Sequence, residues 1–151
     1  MCYKQANVIV NKGLTITAKP EVNDCDDGPS NFTSGRIKTL NTFNFTYIEV
    51  KAKLTKGNNL QPAIWTKYPV RNDYEEIGLV EQKGTESDKL VTSVHWGNMG
   101  AKKLTKINKR CKTSDLSEAY HIYAVRRTDS ELIFYFDKVE YFRVNRSFDD
   151  T

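Results

Sequence analysis

The sequence predicts an all-β fold, an antiparallel sandwich or barrel built as one domain over 1–151. Three observations point there. Helical periodicity is almost absent from the chain. Short runs rich in Val, Ile, Thr, Tyr and Phe recur between clusters of Gly, Asn, Asp and Pro. From Ile48 to Leu54, the apolar residues Ile48, Val50, Ala52 and Leu54 alternate with Glu49, Lys51 and Lys53, the period of a half-buried strand.

Taken in order, Asn7 to Val10 and Leu14 to Ala18 read as two strands joined by the turn signal Asn11-Lys12-Gly13. Pro20 to Ser30 is rich in Asp, Asn, Gly and Pro and reads as a polar loop rather than a calcium site. Gly35 to Thr39 and Phe43 to Lys53 follow as strands, then a turn at Lys56-Gly57-Asn58-Asn59. Ala63 to Lys67 is a short strand around Trp65, Pro69 to Asp73 a loop, and Tyr74 to Gln82 a strand with Gly78 at its centre. Leu90 to Trp96 is the next strand, Gly97 to Gly100 a turn, and Lys102 to Lys109 a further strand. Thr113 to Glu118 is a loop or a single helical turn. Tyr120 to Arg126 alternates as a strand. Leu132 to Phe136 and Val139 to Val144 form a hairpin about Phe136-Asp137-Lys138.

Composition bounds the function. At 151 residues, with 38% hydrophobic and 28% charged residues, the chain supports one packed core. The net charge of +4 is mild; its densest basic patch, from Lys102 to Lys112, is that of a solvated face rather than a nucleic-acid footprint. No run approaches the roughly 18 apolar residues of a membrane span, and no signal peptide is visible at Met1-Cys2-Tyr3-Lys4. Cys2, Cys25 and Cys111 match no zinc or redox spacing; one disulfide with one free thiol and three buried thiols are both compatible with the sequence. No metal and no cofactor is called for, and the expected assembly is a monomer.

Chemistry concentrates in the strand Tyr74-Glu75-Glu76-Ile77-Gly78-Leu79-Val80-Glu81-Gln82. Two carboxylates aimed at a partly buried sheet face are costly unless something uses them, and glycoside hydrolysis needs such a pair. On a regular strand Glu76 and Gly78 point one way and Glu81, five residues on, points the other. A β-bulge between Gly78 and Glu81 would return Glu81 to the first face. The two side chains would then have to lean inward over position 78, because a retaining mechanism brings its carboxyl groups to about 5 Å. The plainer alternative makes Glu76 an edge charge and Glu81 a solvated one.

The stretch Glu76-Ile77-Gly78-Leu79-Val80-Glu81 resembles the E-I-D-[IL]-[VM]-E signature of glycoside hydrolase family 16, the laminarinase and β-glucanase family. Other blocks resemble that family in the same order. They are Asn7 to Val10 with Gly13 to Ile16, Thr33-Ser34-Gly35-Arg36-Ile37, Phe45 to Leu54, Leu60-Gln61-Pro62-Ala63-Ile64-Trp65, Val94-His95-Trp96-Gly97, Tyr120 to Val125, and Ile133 to Asp137. The resemblance implies an antiparallel jelly-roll β-sandwich of the concanavalin-like kind, comprising the N-terminal and central part of the usual domain and lacking its C-terminal strands. It implies a secreted enzyme that cuts a β-1,3- or mixed-linkage β-glucan with retention of configuration. Glu76 would be the nucleophile and Glu81 the acid/base, with Trp65, His95, Trp96 and Arg36 binding the polysaccharide. A non-catalytic β-glucan-recognition protein on the same fold is the alternative.

The departures from the pattern are specific. Gly78 stands where the signature has Asp, and restoring that Asp is expected to raise activity. Gln61 stands for a Trp, Glu75 for a small residue, and Arg126-Arg127 for Glu-Trp.

Overall fold

The computed structural model describes residues 2–25, 28–69, 73–98 and 103–145. The chain forms two compact units, Met1–Phe43 and Asn44–Thr151.

In the first unit, β1 (Cys2–Tyr3) leads through a single 3-10 turn, Gln5–Asn7, into β2 (Val8–Val10) and β3 (Leu14–Ile16), which pair as a hairpin. Lys12 (φ 51°) and Gly13 (φ 147°) supply the left-handed backbone that this turn needs. β4 (Lys19–Cys25) and β5 (Gly28–Ser34) pair antiparallel, and β1 joins β5 in parallel to complete a three-stranded sheet. The expected loop at Pro20–Ser30 is therefore largely strand. Its polar side chains alternate over an exposed ribbon whose ladder is backbone, with a register shift between Pro20 and Asn23. A Cys2–Cys25 disulfide (Cα–Cα 5.6 Å) ties the sheet's far strands, and Cys111 is free. The expected strand at Gly35–Thr39 has no regular structure, and Ile37 is exposed there.

The second unit is an antiparallel sandwich. One sheet has the order β10-β9-β8-β7, made from β7 (Ala63–Pro69), β8 (Asp73–Glu81), β9 (Lys89–Asn98) and β10 (Lys103–Lys112). The other has the order β13-β12-β11-β6, from β6 (Tyr47–Ala52), β11 (His121–Arg127), β12 (Glu131–Phe136) and β13 (Val139–Asn145). Ile77, Leu79, Val80, Leu90 and Val94 of the first sheet meet Tyr123, Val125, Leu132, Phe134 and Val144 of the second in one buried cluster, closed by Leu54 and Leu116. Burying such side chains contributes about 1.5–3 kcal/mol each before chain entropy is subtracted. The β12–β13 hairpin turns on Asp137 (φ 48°) and Lys138 (φ 70°), both left-handed, which matches the right-handed twist of its strands. Residues 70–72 and 99–102, where parts of the loop after β7 and the turn after β9 are expected, lie outside the described residues; Gly97 and Asn98 belong to β9.

Candidate active site

β8 pairs with both neighbours, and the two ladders differ. Against β9 the register is unbroken: Glu76 faces His95 and Gly78 faces Ser93. Against β7 it slips. Ala63 faces Glu81 and Ile64 faces Val80, but Trp65 faces Gly78, which leaves Leu79 as an extra residue. This is the β-bulge that the carboxylate spacing requires. Its consequence is visible in burial: the consecutive residues Leu79 (2% exposed) and Val80 (0%) both enter the core. Glu81 thereby returns to the face of Glu76 and Gly78.

Two hydroxyls of β9 hold this irregular segment. On the core side, Thr92 donates to the Leu79 carbonyl at 3.0 Å, and Tyr141 of β13 in the opposite sheet bonds to the same Thr92 hydroxyl. Burial pushes the Tyr141 phenol well above its ordinary pKa, with the Thr92 bond opposing, so it remains a donor at any working pH. On the open side, Ser93 donates to Glu81 Oε2 at 2.5 Å. Glu81 Cγ and Cδ both lie 3.3 Å from where a Cβ on Gly78 would stand, so this side chain leans back over the glycine toward Glu76.

Glu76 and Glu81 are half-buried. Trp65 stands directly across β7 from Gly78 with 36% of its surface exposed, and Lys67 stands across from Glu76. His95 is half-buried, and its Nε2 is shielded from solvent with no hydrogen-bond partner among the described residues. Lys106 and Asn108 of β10, opposite His95 and Ser93, extend the same face. Four of the six residues expected from sequence therefore share one surface: Glu76, Glu81, Trp65 and His95.

Trp96 is not among them. It pairs with Glu75, one step out of phase with His95, and packs against the core, on the other side of the sheet from the carboxylate face. Arg36 belongs to the N-terminal unit, where its guanidinium lies 6.0 Å from the Tyr3 ring centre. Glu75 also leaves the Glu76 face; it is 8% exposed on the core side and accepts a 2.8 Å bond from Arg127 Nη1. Among the described residues no group of three or more His, Cys, Asp or Glu could hold a metal ion. Ser93, Thr92 and Tyr141 were not legible as site residues; the one signal was that Ser93, two before His95, shares its face.

The family model described as "Glycosyl hydrolases family 16" matches residues 1–151. The chain belongs to this family. Among its relatives, "Endo-1,3-1,4-beta-glycanase ExsH" of Rhizobium meliloti (strain 1021) is 32% identical over 133 residues, covering 85% of this chain and 28% of that protein. "Beta-1,3-glucan-binding protein" of Penaeus monodon is 29% identical over 125 residues, covering 71% of this chain and 34% of that one. The laminarinase catalytic domain from Thermotoga maritima MSB8 superposes with a TM-score of 0.80 at 27% identity, over 95% of this chain and 61% of that one. The fold is accordingly the antiparallel jelly-roll sandwich of family 16. The chain spans about three fifths of that solved domain and about a third or less of these two curated relatives.

Proposed function

We propose that this chain is a retaining endo-β-glucanase acting on a β-1,3- or mixed-linkage glucan. The observation that carries the reading is the bulge in β8, which gathers Glu76 and Glu81 on one sheet face with Glu81 inclined over Gly78. Glu76 attacks the anomeric carbon, the glycosidic bond breaks, and a glycosyl-enzyme ester forms. Glu81 gives its proton to the departing oxygen, then takes one from the water that hydrolyses the ester. Trp65 offers an exposed ring for stacking on a sugar. His95, paired with Glu76 across β8 and β9 and half-buried on the same face, stands where its ring can contact a bound sugar. Gly78, with no side chain of its own, lets Glu81 lean inward between the two positions. The protein works as a monomer outside the cell; the Cys2–Cys25 disulfide is the feature that favours an oxidising compartment.

The test is release of reducing ends from laminarin and from mixed-linkage β-glucan by the wild type, Glu76→Gln and Glu81→Gln, with the product anomer followed by NMR. Release by the wild type with the β-anomer formed first, and its loss in both variants, is expected. Laminarin bound but not cut above the Glu76→Gln background would replace the enzyme with a glucan-recognition protein.

A further inference from the structure

Position 78 and position 93 face each other across β8 and β9, and their contents are matched. Gly78 has no side chain where the family signature carries Asp. A Cβ built there would stand 2.6 Å from Ser93 Oγ, closer than any real carbon approaches an unbonded oxygen. The next nearest atoms are Glu81 Cγ and Cδ at 3.3 Å. The space vacated at 78 is therefore filled by the Ser93 hydroxyl, which is only 1% exposed as a residue and bonds Glu81 Oε2 from that spot.

We infer that Ser93 is a positioning residue for Glu81, and that its hydroxyl and a side chain at position 78 are alternatives for one space. The inference rests on the reading of Glu81 as acid/base. Its chemistry is simple. A serine hydroxyl can donate to Oε2 whether Glu81 is protonated or not. With Oε2 engaged as acceptor, the proton of the acid form resides on the other oxygen, Oε1, from which it passes to the leaving group. In the second half-reaction Oε1 takes the proton from water, and the Ser93 bond is unchanged. One fixed bond thus orients the same carboxyl through both steps, without the reorganisation that a free carboxyl would need. A Ser hydroxyl also adds no charge between two carboxylates, unlike Asp.

This geometry reverses the simplest expectation from the signature. Restoring Asp at 78 alone drives a Cβ into Ser93 Oγ, rotates that hydroxyl away and breaks its bond to Glu81. Asp fits only once Oγ has left its present position, by rotation or by removal.

The experiment compares wild type, Ser93→Ala, Gly78→Asp and the double variant on laminarin and on a dinitrophenyl laminari-oligosaccharide, whose leaving group needs no proton. Melting temperatures are measured on all four. For Ser93→Ala, kcat/KM on laminarin falls about 10-fold to 100-fold, part of the roughly 10²–10⁴ that a positioned acid contributes. On the dinitrophenyl substrate it falls less than about threefold, a difference that a merely structural role would not produce. Gly78→Asp lowers the melting temperature by about 3 °C or more, and Ser93→Ala relieves that loss in the double variant. Equal losses of Ser93→Ala on both substrates, or no loss on either, overturn the inference. So does a penalty for Gly78→Asp that Ser93→Ala leaves untouched. A wild type inactive on both substrates defeats the hydrolase reading instead, and the melting data alone then decide whether 78 and 93 share one space.

Discussion

Thr92→Val tests whether the bulge depends on the hydroxyl relay behind it. The substitution keeps shape and volume and deletes one oxygen. In the native fold Tyr141 bonds to Thr92, and Thr92 donates to the carbonyl of Leu79, the extra residue of β8. Leu79 is 2% exposed, so its carbonyl finds no water when the donor is gone. A buried polar group left without a partner costs about 1–3 kcal/mol. Two such groups, the Leu79 carbonyl and the Tyr141 hydroxyl, are stranded together, and local repacking recovers part of the loss. We expect a cost of about 2 kcal/mol, or about 4–8 °C in melting temperature for a chain of this size. Tyr141→Phe removes only the outer bond and should cost about 1 kcal/mol, while Thr92→Ser should restore most of the wild-type value. Because the bulge is what returns Glu81 to the Glu76 face, Thr92→Val should also lower kcat on laminarin about tenfold. Thermal melting by circular dichroism and reducing-end release are the two assays. A Thr92→Val protein melting within about 1 °C of wild type would show that the bulge is held by something other than this relay.

Arg127→Met should cost about 1–3 kcal/mol in urea denaturation. The value lies between that of a surface pair and a buried one, because Glu75 is 8% exposed while the Arg127 side chain keeps 32% of its exposure. Adding Glu75→Gln should recover most of it, and a loss below about 0.5 kcal/mol would dismiss the pair as a stabilising contact. Cys2→Ser should destabilise the N-terminal unit by about 3 kcal/mol, from the loop that the disulfide closes across a separation of 23 residues. Cys111→Ser should not, and equal effects in urea denaturation would refute the assignment. Asp115 accepts from the Ser117 hydroxyl and backbone N–H and from Lys56, and these hold its carboxyl far below the usual range. Its folded form binds its proton less readily than the unfolded chain. Its contribution is therefore present above the unfolded value near 4 and is lost as pH falls below it. Asp115→Asn should flatten the fall in melting temperature between about pH 4 and pH 2, and an unchanged slope would count against these contacts.

The strands of the sandwich were legible because each carries β-branched or aromatic residues toward one core. β6, β8, β9, β11, β12 and β13 all lie within a few residues of where alternation places them. The β4–β5 ribbon was not legible, because Asp, Asn, Ser, Gly and Pro interrupt its few strand formers and its ladder is backbone pairing closed by a disulfide. In the site, Leu79-Val80 was the readable mark of the bulge: two adjacent apolar residues interrupt an alternating strand, and both prove to be buried. Trp96 and His95 are separated by strand parity. A single residue along β9 exchanges the open face for the core, and a tryptophan is large enough to suit either. Glu75 is the chain neighbour of Glu76, but strand alternation sends it to the other side, where Arg127 meets it.

That last contact bears on what kind of relative this chain is. Glu75 and Arg127 each depart from the family pattern, and each alone would be a liability. A carboxylate with 8% exposure and no cation is several kcal/mol out of balance, and a guanidinium in place of an indole loses its apolar packing. Together they sit 2.8 Å apart. Gly78 and Ser93 show the same relation, a missing side chain and a hydroxyl that takes its place beside Glu81. Here Glu75 meets Arg127 on the core side of β8 and Gly78 meets Ser93 on the open side, and between them Glu76 and Glu81 stay on the same face.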